Sequence, residues 1–298
     1  MQLKVTAKDG YQLGATAFQP ESDATKGVLL VCSAMGVLQS YYSKYATYMA
    51  SQGYIVYTFD YRGIGRSAPE SLKGFEASLH QWGALDITAM IDHIVEAHPT
   101  QKLFVATHSV GGQILGMSPQ NHLVSGIVMV ASQSGYWNMW SGIGKLKMLA
   151  IWYGFIPGLS KLTGYLPAKK LRMFEDLPKG VAEEWAQWGR HKDYMMGYWS
   201  EKEPMYAQVD CPMISYSIDD DKFAPRKAVS WMSTRYRNAD LQLKHVKPSD
   251  LKVGSIGHFG FFRAKFQQSF WLETVGFFDR LSNKTTTTLH EQQAAKTA

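Results

Sequence analysis

Three kinds of side chain in this sequence could together activate a hydroxyl group for attack on a carbonyl carbon: the serine Ser109, the histidine His258, and an acid from the run Asp219, Asp220 and Asp221. A serine hydroxyl is a weak nucleophile at neutral pH, so it needs a base beside it and fixed hydrogen-bond donors for the developing oxyanion. An acid that orients the base completes the set. The chemistry is possible only if the fold brings these distant residues to one point.

Ser109 lies in the stretch 102–115, which reads as an apolar strand, a turn with the serine at its apex, and a helix that opens on two glycines. This layout predicts a nucleophile elbow, in which the backbone N–H of Val110 can serve as an oxyanion donor. Such an elbow requires a glycine two residues after the serine, here Gly111, because a Cβ at this position is expected to collide with the strand that leads into the turn. Thr107 stands where the usual G-x-S-x-G pattern has its first glycine. The alternative is an ordinary helix cap.

Three acids, Asp219, Asp220 and Asp221, directly follow the predicted strand 211–217. Such a run alone is typical of a solvated turn. Its place at the carboxyl end of a strand downstream of Ser109 favours an acid that orients a histidine. His258 stands further on, in a loop bracketed by glycines, and gives the order Ser, Asp, His.

Several buried strands alternate with helices along the chain. A hairpin is predicted over 3–18 around an Asp-Gly turn, followed by strands and helices in alternation. The predicted strands are 27–32, 54–60, 102–108, 125–131, 211–217 and 241–246, and the clearest helices are 41–51 and 83–98. This alternation predicts an α/β fold with a mostly parallel sheet and helices on both faces.

The composition changes after residue 134. Residues 135–206 hold six of the nine Trp and six of the fourteen Met and show no strand pattern. We therefore predict a helical insertion at 135–206 between two core parts, 1–134 and 207–282, and a polar, disordered tail at 283–298. The aromatic and Met side chains form either the insertion's own core or an apolar roof over the site.

The composition restricts the class of protein. The 298 residues carry a formal charge of +6 with both signs interspersed, which does not indicate a nucleic-acid binder. No segment is apolar and long enough to span a membrane, the start of the chain lacks a secretory signal, and both cysteines fall in or beside predicted buried strands. We expect a cytoplasmic protein.

The chain resembles α/β-hydrolases with an inserted cap, in the branch of serine-aminopeptidase-like and lysophospholipase-like proteins. The resemblance is carried by the elbow at 107–112, by the loop 60–67, which matches the family's D-x-R-G-x-G-x-S turn, and by the Gly-His-Phe-Gly sequence at 257–260. It covers residues 1–282. It implies an α/β-hydrolase fold with a helical cap.

The resemblance implies a role for each candidate residue. Ser109 is the nucleophile, and His258 is the general base and later the general acid. The family pattern of Asp, any residue, apolar residue, any residue, Pro fits Asp221 to Pro225, so Asp221 orients the histidine, with Asp220 as the alternative.

The second oxyanion donor implied by the resemblance is the backbone N–H of Met35, or else of Ala34. Both residues lie in the loop after the strand 27–32. Where the family usually has His-Gly before this donor, the chain has Ser33 and Ala34. His108, next to the nucleophile, matches a common histidine of the motif and is interpreted as structural.

The implied activity is hydrolysis of a carboxylic ester with an apolar acyl group, a small-molecule substrate, through an acyl-enzyme and without cofactor or metal. An acyltransferase that uses the same residues is an alternative, and so is a catalytically weak binding relative, because of Thr107. Gly63 and Gly65 weakly suggest a dinucleotide-binding turn, but Pro69 follows and no helix begins there. The sequence leaves oligomeric state and physiological substrate open.

Overall fold

One twisted sheet runs through the centre of the molecule. The computed structural model describes residues 1–22, 24–198 and 205–283, and within them eight strands pair in the order β1-β2-β4-β3-β5-β6-β9-β10. The strands are β1 Gln2–Thr6, β2 Gln12–Phe18, β3 Gly27–Cys32, β4 Tyr54–Phe59, β5 Leu103–His108, β6 Val124–Val130, β9 Pro212–Ile218 and β10 Asp240–Val246. The tail predicted at 283–298 lies, except for Asn283, outside the described residues.

The sheet is parallel from β4 to β10, and only β2 is antiparallel to its neighbours, β1 and β4. The Asp-Gly turn predicted between β1 and β2 is present, with Gly10 at a φ of 85°. Every residue of β3, β4 and β5 is buried. Continuous apolar strands of this kind are expected where helices cover both faces of a sheet.

Successive residues of β3 point to opposite faces and so supply two cores. Val28 and Leu30 pack in one apolar cluster, whereas Leu29 and Val31 pack in the other. Helices cover both faces of the sheet.

The helices are α1 Ser43–Ser51, α2 Leu79–Gln81, α3 Thr88–Ala97, α4 Val110–Ile114, α5 Gly142–Ala150, α6 Ile156–Thr163, α7 Lys179–Arg190, α8 Arg226–Ser233 and α9 Leu272–Ser282, with π-helical turns at Trp82–Ile87, Ile151–Phe155 and Gln267–Trp271. Helix α3 contributes side chains to the first core, and α1 and α9 contribute side chains to the second. The α/β prediction is confirmed.

The segment predicted as a helical insertion contains α5, α6 and α7 and also a small hairpin. Strands β7 Tyr165–Leu166 and β8 Leu177–Pro178 pair antiparallel, which corrects the prediction that 135–206 has no strand. Two residues are too few to show an alternating pattern. Trp152 and Trp188 are buried and belong to the first core, so part of the aromatic content packs internally. The division of the chain at residues 134 and 206 stays a prediction.

The loop after β4 is fixed by a buried ion pair. Arg62 donates from Nε to Asp86 Oδ1 at 2.7 Å and from its backbone N–H to Oδ2 at 2.9 Å, and its Nη1 reaches Asp9 at 2.6 Å. Asp86 is fully buried, and burial raises the pKa of its carboxyl to about 7 against the opposing effect of Arg62. The match to D-x-R-G-x-G-x-S thus reflects a structural anchor that joins the loop to the helical segment beneath it.

We expect Arg62→Met to lower the free energy of unfolding by about 3–5 kcal/mol, because it leaves the Asp86 carboxyl buried without its partner. Urea denaturation measures this loss. The double variant R62M/D86L removes the unpaired charge and should recover part of the stability, although the backbone N–H of residue 62 then loses its acceptor. A loss below about 1 kcal/mol in the single variant, the range of an exposed ion pair, would contradict the anchoring role.

Candidate active site

Ser109 lies on a strained turn between β5 and α4. Its backbone has a φ of 51° and a ψ of −114°, a conformation that non-glycine residues rarely adopt. The N–H of Ser109 donates to Val130 O at 2.9 Å, which ties the turn to β6. A Cβ at Gly111 would lie 2.4 Å from the carbonyl oxygen of Cys32, so the close neighbour is β3 and not, as predicted, the strand that leads into the turn. The sequence shows the need for glycine but not which strand causes it.

Thr107 fits this turn because Gly112 leaves space for it. A Cβ at Gly112 would lie 2.6 Å from Thr107 Oγ1 and 2.3 Å from Ser132 Oγ. Thr107 Oγ1 is buried and has no hydrogen-bond partner among the described residues. The Thr107 side chain therefore lies beside Gly112, and Ser109 adopts the strained conformation of an elbow although a threonine precedes it by two residues.

The three consecutive acids have three different partners. Asp221 Oδ2 is 2.7 Å from His258 Nδ1, and its Oδ1 accepts the backbone N–H groups of Phe223 and Ala224. Asp220 instead accepts the N–H groups of Ile256 and Gly257, at 3.0 and 2.9 Å. Asp219 lies 3.0 Å from His245.

Asp221 therefore orients the His258 ring directly, whereas Asp220 holds the loop that carries this ring. The Asp221 side chain is fully buried and that of His258 almost so. A charged hydrogen bond in such surroundings is shielded from water. The structure brings these two candidate residues into direct contact.

Among the described residues, no hydrogen bond joins Ser109 to His258. The His258 ring centroid is 4.9 Å from that of His108, the residue next to the serine. The hydroxyl of Ser109 instead donates to Gln133 Oε1 at 3.4 Å. Bonds between nucleophile and base are often loose without substrate. A productive geometry requires this hydroxyl to turn from Gln133 to His258 Nε2, the ring nitrogen that Asp221 does not contact.

Gln133 is a site residue that the sequence analysis missed. It follows β6, and its Nε2 donates to Phe223 O at 3.3 Å, on the loop of Asp221. Gln113 donates to Gln133 Oε1 at 3.3 Å and accepts from the hydroxyl of Tyr194 at 3.0 Å. A buried polar chain thus joins the serine to the segment 135–206. One signal in the sequence could have indicated Gln133: it closely follows the predicted strand 125–131, and the carboxyl ends of parallel strands meet at the edge of the sheet where Ser109 lies.

The loop after β3 lies beside the elbow because Cys32 and Thr107 are partners in the sheet. The N–H of Ala34 donates to the hydroxyl of Tyr42 at 2.9 Å, so it already has an acceptor. The N–H of Met35 has none among the described residues, and Val110 is the first residue of its helix, where N–H groups lack helical partners. These contacts favour Met35 over Ala34 as the second donor, and its role stays a proposal.

His108 connects this loop to the loop of His258. His108 Nε2 lies 3.0 Å from His258 O, which can only accept, so Nε2 carries the ring proton. In the neutral ring Nδ1 then accepts from the Tyr42 hydroxyl, 2.8 Å away, and that hydroxyl in turn accepts the Ala34 N–H. Burial, with the nearby His258 imidazole, holds the pKa of His108 well below its usual value. A neutral His108 can hold the two loops together, and its structural role stays a prediction.

Among the described residues, histidines outside the elbow and the His258 loop have partners of their own. Within residues 1–22, 24–198 and 205–283, no group of three or more His, Cys, Asp or Glu side chains is placed to hold a metal ion. His98 bonds to the Tyr57 hydroxyl at 2.9 Å, and His80 pairs with Glu184 at 3.0 Å. Among the same residues, no helix is long and apolar enough to cross a bilayer.

Solved structures with the same architecture share little sequence with this chain. A soluble variant of monoglyceride lipase from Saccharomyces cerevisiae, in complex with a substrate analog, aligns with a TM-score of 0.66 at 14% identity, over 94% of this chain and 96% of that one. A thermostable carboxyl esterase from Bacillus coagulans gives 0.64 at 14%, over 95% and 98%. The monoacylglycerol lipase of Paleococcus ferrophilus gives 0.59 at 15%, over 90% and 99%. These likenesses show the α/β-hydrolase fold.

Sequence comparison identifies the family. No curated protein matches the chain significantly. The profile of the family described as serine aminopeptidase, S33, matches residues 23–173, just over half of the chain. The matched part includes the elbow, the loop after β3 and the Arg62 loop. The chain belongs to the serine aminopeptidase S33 family of α/β-hydrolases.

Proposed function

We propose that this protein is a serine hydrolase that cleaves a carboxylic ester with an apolar acyl group, using Ser109, His258 and Asp221. The observation that carries the proposal is the 2.7 Å bond between Asp221 and His258 Nδ1, in a ring that packs 4.9 Å from that of His108, the residue before the strained Ser109. A buried acid on one ring nitrogen leaves the other free to accept a proton from the serine.

The reaction follows from this arrangement. Ser109 transfers its proton to His258 Nε2 as its oxygen bonds to the ester carbonyl carbon. The N–H groups of Val110 and Met35 donate to the oxyanion that forms. His258 then protonates the departing alcohol, and a water molecule, activated by the same imidazole, hydrolyses the acyl-enzyme. Asp221 keeps the ring oriented and stabilises its protonated form.

The substrate class is inferred from the segment 135–206, which we propose acts as a cap. Tyr194 in this segment reaches Ser109 through Gln113 and Gln133, so the segment extends to the nucleophile. Its Trp and Met side chains suit an apolar chain. The names of the similar structures, two lipases and an esterase, agree with an ester substrate. The free, buried cysteines support a cytoplasmic location, as proposed from the sequence.

Hydrolysis of p-nitrophenyl esters from acetate to palmitate tests the proposal. We expect kcat/KM to rise about fourfold per added CH₂ until the acyl pocket is filled, because each buried CH₂ contributes about 0.8 kcal/mol. Leucine p-nitroanilide serves as the comparison substrate, since the family name refers to aminopeptidases, and should be cleaved poorly. Failure to cleave any ester, together with failure of a fluorophosphonate to label Ser109, would refute the hydrolase proposal.

A further inference from the structure

The segment from α5 to β8 carries large apolar side chains that face outward. Ile143, Leu146 and Tyr153 fall at helical spacing and are 73%, 65% and 58% exposed, and Leu162 at the end of α6 is 83% exposed. Leu171 and Met173, in the loop that follows, are also exposed. We call these six residues the outer cap patch. Six large apolar side chains exposed within 31 consecutive residues are more than the scattered exposure usual for a monomer, and such a concentration favours an interaction site.

This segment alone carries as much net positive charge as the whole molecule. Residues 135–174 contain six Lys and Arg residues and no Asp or Glu. Their number equals the formal net charge of +6, so the rest of the chain carries 25 cationic residues against its 25 acidic ones. A surface that is both cationic and apolar complements one that is anionic and apolar.

Most of these cations have no acidic partner. Lys169 pairs with Glu175 at 2.8 Å, and Lys145 lies 4.8 Å from the Trp137 ring centroid. Among the described residues, the other four form no ion pair: Lys147, Lys161, Lys170 and Arg172. All four are exposed, so they can contact an external anion.

The end of the outer cap patch at Met173 is joined to the loop after β3 through the two residues that follow it. Phe174, next to Met173, packs so closely on Gly36 that a Cβ there would lie 2.6 Å from its ring. The N–H of Glu175 donates to Gly36 O at 2.9 Å. Gly36 follows Met35, the proposed oxyanion donor. The segment that carries the patch is therefore fixed to the loop that holds the proposed second oxyanion donor.

We propose that the outer cap patch and its four unpaired cations dock this protein on an anionic lipid bilayer. The apolar side chains insert among the lipids, and the cations lie against lipid phosphates. This is peripheral binding, since the patch supplies side chains and not a spanning helix. It adds to the proposed ester hydrolysis and does not depend on it, because binding is measured without turnover.

Sedimentation of the full chain with vesicles tests the proposal. We expect binding to phosphatidylcholine vesicles that contain phosphatidylglycerol, weaker binding to phosphatidylcholine alone, and a loss of binding at high salt. The variant K147Q/K161Q should bind anionic vesicles about thirtyfold more weakly, since each basic residue near such a surface contributes about a factor of five. The variant I143D/L162D should also bind more weakly, to anionic and neutral vesicles alike.

Matched controls lie outside the segment. Lys44→Gln removes an exposed lysine on α1, and Leu272→Asp changes a side chain on α9 that is 50% exposed. Both should bind vesicles like the original protein, and thermal melting shows whether each variant is folded. The proposal is wrong if folded I143D/L162D binds anionic vesicles as well as the original chain does. It is also wrong if the chain binds soluble polyglutamate but not vesicles, which would indicate an acidic protein as partner.

Discussion

Ser109→Ala is expected to lower kcat/KM for p-nitrophenyl esters by about 10⁶-fold, close to the loss seen when a serine hydrolase loses its nucleophile. The alanine retains the backbone and the Cβ but has no oxygen to bond to the carbonyl carbon. The fold should be unaffected, because among the described residues the hydroxyl makes a single, long hydrogen bond, 3.4 Å to Gln133. Initial rates with ester, together with thermal melting, measure both parts of the expectation.

Ser132→Ala is the matched control for this experiment. Ser132 is also buried next to the elbow, and its hydroxyl makes a 3.4 Å bond to Val130 O. We expect its activity to stay within a few-fold of the original. A fluorophosphonate should label Ser132→Ala and fail to label Ser109→Ala. Undiminished ester turnover by folded Ser109→Ala would show that the nucleophile lies elsewhere.

The fold is predictable from sequence where burial is uniform. The limits of the apolar run at 27–32 are those of β3. A strand that is covered on both faces is apolar at every position, so its ends are visible in the sequence. The hairpin β7–β8 was not predicted, because strands of two residues are too short to show the alternation of polar and apolar residues. In addition, proline is rare inside strands, and β8 ends with Pro178. The helix predicted at 83–98 is found, but it begins with π-helical turns at Trp82–Ile87.

The site is less predictable, because its hydrogen bonds depend on where distant elements end. The sequence does not indicate that the N–H of Ala34 donates to the hydroxyl of Tyr42. This hydrogen bond nevertheless leaves the N–H of Met35, and not that of Ala34, available to a substrate. Gln133 reaches Ser109 only because β6 pairs with β5. Motif spacing can propose Ser109 and His258, but these contacts follow from sheet register.

The same limit applies to the choice between neighbouring acids. Asp220 and Asp221 are adjacent, so no charge or burial argument from sequence separates them. In the structure Asp221 contacts the His258 ring and Asp220 contacts the backbone of the ring's loop. The two carboxylates therefore serve one histidine in different ways, and the difference can be measured.

We expect Asp221→Asn to lower kcat by about 10⁴-fold, the scale reported for loss of the acid in such a triad. An asparagine that turns its NH₂ group toward Nδ1 favours the wrong tautomer of His258, in which Nε2 carries the proton and cannot accept one from Ser109. The amide oxygen can still accept the N–H groups of Phe223 and Ala224, which Asp221 Oδ1 accepts now. The loop should therefore keep its shape, and steady-state kinetics should show the loss mainly in kcat.

Asp220→Asn is the control, because it makes the same chemical change one residue away. Its amide can accept only one of the two N–H groups of Ile256 and Gly257 without rearrangement, so stability should fall while the His258 tautomer is unaffected. We expect kcat to change by less than about tenfold, since each hydrogen bond is worth about 1 kcal/mol. Equal losses of kcat in both variants, with both folded, would mean that Asp221 acts through the loop and not on the imidazole.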